Sequence, residues 1–262
     1  MRDLRSQLRS TRPLLGSYSF TQSPAVVEVL GHCGLDFVII DMEHSAIDWS
    51  TVEHLIRAAH VTGLAALVRI RSSTEENVHA ALDAGADGIM LPFLRDAAQL
   101  RPLIRAARYA PQGERHYCSI SRAWGYGTTP AGAFGEHARA LNDRVVLFGI
   151  VESMETIDAL PEILDIELGL DAVSLGRGDL ATSLNLAGQV QHPLVQAAYE
   201  RLRACVQAAR RPVRISSVIR DVTDAREIDQ ARAQGVSVFV NVSETALMAR
   251  AIQTFQANIG AA

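Results

Sequence analysis

Glu152 and Asp179 are the side chains of this 262-residue chain whose type and placement speak most directly of chemistry. Each follows an apolar, β-branched run. One is Val145-Val146-Leu147-Phe148-Gly149-Ile150-Val151, and the other is Asp171-Ala172-Val173-Ser174-Leu175 with a Gly176-Arg177-Gly178 turn. If both runs are neighbouring strands of a parallel barrel, the two carboxylates meet at its C-terminal mouth, where such barrels place their reactive groups. Two hard oxygen ligands there suit a divalent cation such as Mg²⁺ or Mn²⁺, with most of its shell left to water and substrate oxygens. No histidine–cysteine cluster has the spacing of structural zinc.

Other polar groups fall at the same end of neighbouring runs. Asp41-Met42-Glu43-His44-Ser45 follows Phe37-Val38-Ile39-Ile40, and a histidine titrates where proton transfer near neutrality is easiest. A loop or helix-capping role is the alternative for His44. Val68-Arg69-Ile70-Arg71 puts two arginines on one face of a strand end, where either could hydrogen-bond a developing oxyanion. Alternation alone does not choose between them. Asp83 lies near the end of a helical pattern, where an acid opposes the helix dipole; that points to a specific partner, His44 among the candidates, or to a solvated helix end. The glycine-rich Gly176–Leu180 turn offers backbone N–H groups to a carboxylate, although a tight turn also needs glycine.

The elements that must position these groups alternate along the whole chain. Strand patterns cover Leu15–Phe20, Phe37–Asp41, Ala66–Ile70, Gly88–Leu91, Val145–Ile150, Ala172–Leu175, Val213–Ser216 and Val236–Val240. Helical periodicity covers Ser50–Thr62, Glu75–Ala84, Ala97–Tyr109, Met154–Leu164, His192–Ala209, Val222–Ala233 and Glu244–Ala257. Eightfold alternation predicts one α/β domain over residues 1–262, a (β/α)8 TIM barrel. A doubly wound open sheet would carry an early glycine-rich phosphate turn, and none is present. The irregular Pro111–Gly135 stretch is expected either over the barrel mouth or at a subunit contact. The last helix has a broad apolar face that covers the barrel or packs on another subunit.

Composition removes several classes of function. A net charge of −4 and no basic cluster argue against nucleic acid, and no apolar run is long enough for a membrane span. Cys33, Cys118 and Cys205 lack metal spacing and read as reduced thiols of a cytoplasmic protein; the N-terminus lacks the apolar core of a signal peptide. All 25 basic residues are arginine. Without lysine, neither a Schiff-base aldolase nor a pyridoxal phosphate (PLP) enzyme is chemically available.

The ordered motifs resemble the HpcH/HpaI aldolase family of metal-dependent, class II pyruvate aldolases. They run from Gly34-Leu35-Asp36-Phe37 and Asp41-Met42-Glu43-His44 through Val68-Arg69, Leu82-Asp83-Ala84-Gly85, Leu91-Pro92 and Arg108–Arg115. Val151-Glu152-Ser153, Gly176 with Gly178-Asp179-Leu180, and Gln191-His192-Pro193 complete them. The resemblance implies that Glu152 and Asp179 hold Mg²⁺ or Mn²⁺, with Co²⁺ as a further option. It implies that Arg69 binds the ketone oxygen, that His44 and Asp83 form a proton-moving dyad, and that the Gly178 and Asp179 amides receive the pyruvate carboxylate. Tyr18 falls where relatives carry tryptophan near the substrate. The family's fold implies a C-terminal helix exchanged between subunits of a homo-oligomer, commonly a hexamer.

The implied reaction joins pyruvate to an aldehyde and cleaves a 4-hydroxy-2-oxo acid in reverse. The sequence departs from the family at Ile150, where relatives carry glutamine, at Arg177-Gly178, which replace a proline–small pair, and at His116, which replaces glycine. These departures motivate a second implied reading, an oxaloacetate decarboxylase or a siderophore-type citrate synthase using acetyl-CoA. Arg177 and His116 are candidates for binding an extra acidic group.

Overall fold

A computed structural model describes residues 3–260. Eight parallel strands close in sequence order into a barrel. They are β1 (Leu14–Ser19), β2 (Phe37–Asp41), β3 (Ala65–Arg69), β4 (Gly88–Leu91), β5 (Val146–Val151), β6 (Ala172–Leu175), β7 (Arg214–Ile219) and β8 (Val236–Asn241). The helices are α1 (Leu4–Leu8), α2 (Pro24–His32), α3 (Trp49–Val61), α4 (Glu75–Asp83), α5 (Ala97–Ala106), α6 (Phe134–Arg144), α7 (Met154–Asp165), α8 (Arg177–Ser183), α9 (Pro193–Ala208), α10 (Ala225–Ala233) and α11 (Glu244–Asn258). The predicted (β/α)8 fold is therefore correct, and the expected strand ends lie within a few residues of the observed ones.

Strands β2 to β6 are buried along their whole length, which explains their continuous apolar runs. One face fills the barrel with Phe37, Ile39, Leu67, Met90, Phe148 and Ile150, and α1 closes the bottom with Leu4 and Leu8. The other face packs on the helices through residues such as Val38, Ile40, Val68, Ile89 and Val151. Cover is thinner over β7, β8 and β1, whose patterns include half-buried or exposed positions.

A repeated device fixes strand register at the closed end. Gly-x-Asp precedes β2, β4 and β6 as Gly34-Leu35-Asp36, Gly85-Ala86-Asp87 and Gly169-Leu170-Asp171. Each aspartate accepts the N–H of the preceding strand, from Leu15, Ala66 and Leu147, at 2.9, 2.9 and 3.0 Å. Each backbone N–H returns a bond to the same residue's carbonyl at 2.8 Å. The φ of +85° at Gly34 and +91° at Gly85 explains the glycine in those turns.

The 111–135 stretch does not cover the mouth. It leaves the end of α5, and helices run antiparallel to the strands, so it starts at the closed end. There Arg115 pairs with Asp83, Arg122 donates to the Ala84 carbonyl at 3.3 Å, and Trp124 donates to Tyr109 at 2.7 Å. Helices α1, α2, α6 and α8 were not anticipated; α1 and α8 are too short to show a helical period. Among the described residues, no helix is long and apolar enough to cross a membrane.

Asp171 is also the counter-charge of a buried cationic cluster, with Arg5 at 3.4 Å and Arg211 at 3.9 Å. Fully buried Arg108 lies in the same field; burial, helped by Arg5, pushes its guanidinium down to about 10 against the pull of Asp171. Replacing Asp171 with alanine should strip this cluster of its anion and cost about 3 kcal/mol of unfolding free energy. Asp158→Ala, which breaks an exposed pair with Arg201, should change it by less than about 0.5 kcal/mol. Urea denaturation of both variants measures the contrast, and equal effects would refute it.

Candidate active site

The mouth is organised around Arg69. Strand pairing sets Asp41 at the end of β2 directly beside Arg69 at the end of β3. The Arg69 Nε–H donates to Asp41 Oδ2 at 2.5 Å, and Nη2 donates to the same oxygen. Nη1 lies 3.0 Å from Glu43 Oε2, without hydrogen-bond alignment. The guanidinium also sits 4.8 Å from the ring centroid of Tyr18, inside the barrel. Burial alone would lower the Arg69 guanidinium; Tyr18, Asp41 and Glu43 together outweigh it and hold it above its ordinary value. Of the two arginines that alternation left open, Arg69 takes the site. Arg71 instead donates to the Met42 carbonyl at 3.3 Å and to that of Ile47.

Asp41 ties a second functional residue to the first. Its other oxygen accepts the His44 backbone N–H at 2.7 Å, so one carboxylate sets both the Arg69 plane and the loop that carries His44. The His44 ring is exposed, with Nε2 3.6 Å from Glu43. Sequence reasoning gave Asp41 and Glu43 no roles of their own; the signal was that Asp41 and Arg69 end adjacent parallel strands.

Glu152 follows β5 and Asp179 lies in the first turn of α8, and both line one cavity of about 380 Å³ with Arg69, Tyr18 and Ile150. Glu152 Oε2 accepts the Phe93 N–H at 2.8 Å, and its other oxygen has no hydrogen-bond partner among the described residues. Burial pushes the Glu152 carboxyl up to about 7; Glu43 and Asp179 add to the rise while Phe93 and Arg69 oppose it. The Glu43 carboxyl is raised too, again by burial first. Glu152 and Asp179 face one cavity, Glu43 lies against Arg69 at its edge, and a hard cation would relieve this excess of negative charge. No cluster of three or more His, Cys, Asp or Glu side chains able to share a metal occurs among the described residues, so Glu152 and Asp179 would act as a pair. The N–H groups of Gly178 and Asp179 begin α8 and have no intrahelical partner. Tyr18 donates to Met90 Sδ at 3.1 Å, and its phenol is pushed up to about 12, chiefly by burial, so it stays neutral.

Two expected placements fail within one chain. Asp83 ends α4, which puts it at the closed end of the barrel and away from His44 at the mouth. Its partner is Arg115 at 2.7 Å, which answers the unfavourable helix dipole. His116 lies beside His79 of α4, ring centroids 5.0 Å apart, and so is not a mouth residue. Arg177 does border the cavity, but it stacks on Tyr199 at 4.7 Å and donates to Gln234 Oε1 at 3.1 Å.

The family pattern described as HpcH/HpaI aldolase/citrate lyase matches residues 14–246. The chain belongs to this family. An HpcH/HpaI relative from Pseudomonas putida, 2-dehydro-3,6-dideoxy-6-sulfogluconate aldolase, is 33% identical over 72% of this chain and 71% of its own. The 4-hydroxy-2-oxo-heptane-1,7-dioate aldolase of Escherichia coli is 30% identical over 98% and 94%. The crystal structure of an HpcH/HpaI family protein from Burkholderia cenocepacia J2315 superposes with a TM-score of 0.89 at 28% identity, covering 99% of each chain.

Within the HpcH/HpaI frame, Gly176 is required by close approach. A Cβ there would lie 2.6 Å from Glu152 Cγ. Gly176→Ala should therefore displace Glu152 and weaken Mn²⁺ binding about tenfold or more while leaving the far-ultraviolet dichroism intact. Gly178→Ala, whose Cβ would meet open space, should bind Mn²⁺ nearly as wild type. Titration followed by Mn²⁺ paramagnetic resonance measures both, and equal affinities would show that Glu152 is not crowded by position 176.

Proposed function

We propose that this protein is a divalent-metal-dependent aldolase that joins pyruvate to an aldehyde and cleaves a 4-hydroxy-2-oxo acid in the reverse direction. The observation that carries the reading is Arg69, locked by Asp41 at the edge of a cavity that also holds Glu152 and Asp179. Glu152 and Asp179 would hold the cation, Mg²⁺ or Mn²⁺, which would withdraw electrons from the pyruvate ketone. Arg69 hydrogen-bonds the ketone oxygen and gains strength as that oxygen becomes an enolate. The Gly178 and Asp179 amides receive the pyruvate carboxylate. Tyr18 backs Arg69 with an apolar ring, and no lysine competes for the ketone.

His44 moves the proton at the exposed side of the mouth. Asp83 can support it only from a second subunit, because its own chain holds it at the opposite end. Two features favour such an assembly. Helix α11 is anchored by buried Glu244, whose Oε1 accepts the Phe20 and Thr21 N–H groups at 2.7 Å each. Beyond that anchor the helix exposes Met248, Ile252, Phe255 and Ile259. An apolar groove of about 310 Å³ between Leu15, Phe239, Val222 and Ile228 lies where the final helix of a barrel would pack. A second copy's α11 in that groove, the exchange that the family resemblance implies, would remove both apolar surfaces from water.

Pyruvate in D₂O tests the chemistry. Protein loaded with Mn²⁺ or Mg²⁺ should exchange the methyl protons, chelator-stripped protein should not, and Glu152→Gln should lose more than 100-fold. His44→Ala should slow exchange at least tenfold with little change in the pyruvate KM. No exchange with any divalent ion would end the pyruvate reading, and turnover of oxaloacetate with acetyl-CoA instead would favour the alternative. Ile252→Asp combined with Phe255→Asp should shift the mass seen by light scattering to that of smaller species; an unchanged mass would exclude α11 from the interface.

A further inference from the structure

The mouth cavity does not end at the carboxylates. It passes over β7 to a wall formed by Arg177, Arg220, Gln230 and Gln234. The passage exists because β7 is incompletely covered. Val218 faces the barrel interior, whereas Ser217, on the same side as Ile215 and Ile219, looks toward the helix layer and is half-buried. The pyruvate chemistry proposed above gives Arg177 no role.

The wall is rich in donors. Arg177 is half-buried, with one face on Tyr199 and one N–H on Gln234 Oε1. Among the described residues, no carboxylate lies within ion-pair distance of Arg177 or Arg220. Glu227, the acid on this wall, has both oxygens occupied by the backbone N–H groups of Arg220 and Asp221 at 2.9 Å each. A half-buried guanidinium without an ion-pair partner is open to one, and its fork of N–H groups matches an oxyanion. The same cavity is lined by Glu152 and Asp179, which would repel an anion unless a cation is bound.

We propose that the Arg177–Arg220 wall binds the anionic, non-reacting end of the acceptor, so that the aldehyde partner carries a carboxylate or a sulfonate. The inference rests on the aldolase reading for its word "acceptor" and goes beyond it in naming the class. An acceptor with such an end spans the cavity, its carbonyl at the Arg69 pole and its anion at the Arg177 pole.

The test compares succinic semialdehyde, 3-oxopropanesulfonate and uncharged butanal as partners of pyruvate. Wild-type protein should prefer the anionic aldehydes at least tenfold in kcat/KM over butanal. Arg177→Gln should cut that preference at least tenfold, mainly through KM, and Arg220→Gln about threefold; Arg177→Lys should restore part of it. The carboxylate and sulfonate arms separate the two kinds of anion. A wild-type preference for butanal, or a preference unmoved in both glutamine variants, overturns the proposal. Calorimetric titration with succinate gives a readout independent of turnover: binding should weaken at least fivefold in Arg177→Gln. If wild-type protein fails to exchange pyruvate protons while succinate binding depends on Arg177, the aldolase reading falls and the anion wall stands. If exchange proceeds but succinate binding ignores both arginines, the wall falls alone.

Discussion

A single cation held by negative neighbours organises the mouth of this barrel. Arg69 is clamped by Asp41 through two N–H groups, approached by Glu43, and faced by Tyr18. Its direction is therefore set before any substrate arrives, which is the condition for electrostatic stabilisation without reorganisation. The same Asp41 orders the His44 loop. The cost is an excess of acid: Glu43 and Glu152 are both pushed toward the neutral form. A site with more buried carboxylate than one arginine can balance is poised to take up a further positive charge.

The fold and the meeting of Glu152 and Asp179 at one cavity were legible in the sequence for physical reasons. Strands buried on both faces must be apolar throughout, so β2 through β6 announced themselves as short continuous runs, and parallel closure sends every strand end to one mouth. Glu152 is readable because it directly follows such a run, and Asp179 because only a short glycine-rich turn separates it from one. What periodicity cannot report is which way an arginine turns. Arg69 and Arg71 share a strand face, and only the register of Asp41 against Arg69 separates them. Asp83 illustrates the opposite limit. Its motif is matched, yet a helix end lies at the closed face, and the proton-moving role proposed for it would need a second subunit. For the 111–135 stretch the same geometry removes one of the two expected places, the mouth, since a segment leaving a helix begins at the floor of the barrel.

Helix packing explains why both openings lie on one side of the barrel. Cover is complete over β2 to β6 and incomplete over β7, β8 and β1. The gap beside β7 carries the polar extension of the mouth, and the gap over β8 and β1 forms the apolar groove. One is donor-rich and the other oily, so the two openings cannot exchange occupants.

The Gly-x-Asp turns beneath the barrel have a mechanical consequence. Each welds two adjacent strands into a ring closed by a backbone bond and a carboxylate bond, pairing β1 with β2, β3 with β4, and β5 with β6. The last pair lacks the weld. Arg214 reaches Ser237 Oγ at 2.6 Å instead, and the β7–β8 register slips between Ile215 and Ser216. The barrel is thus a stiff jig with one compliant sector. Asp41, Arg69 and Glu152 all stand at the ends of welded strands, whereas Arg220 follows β7, of the pair that lacks the weld.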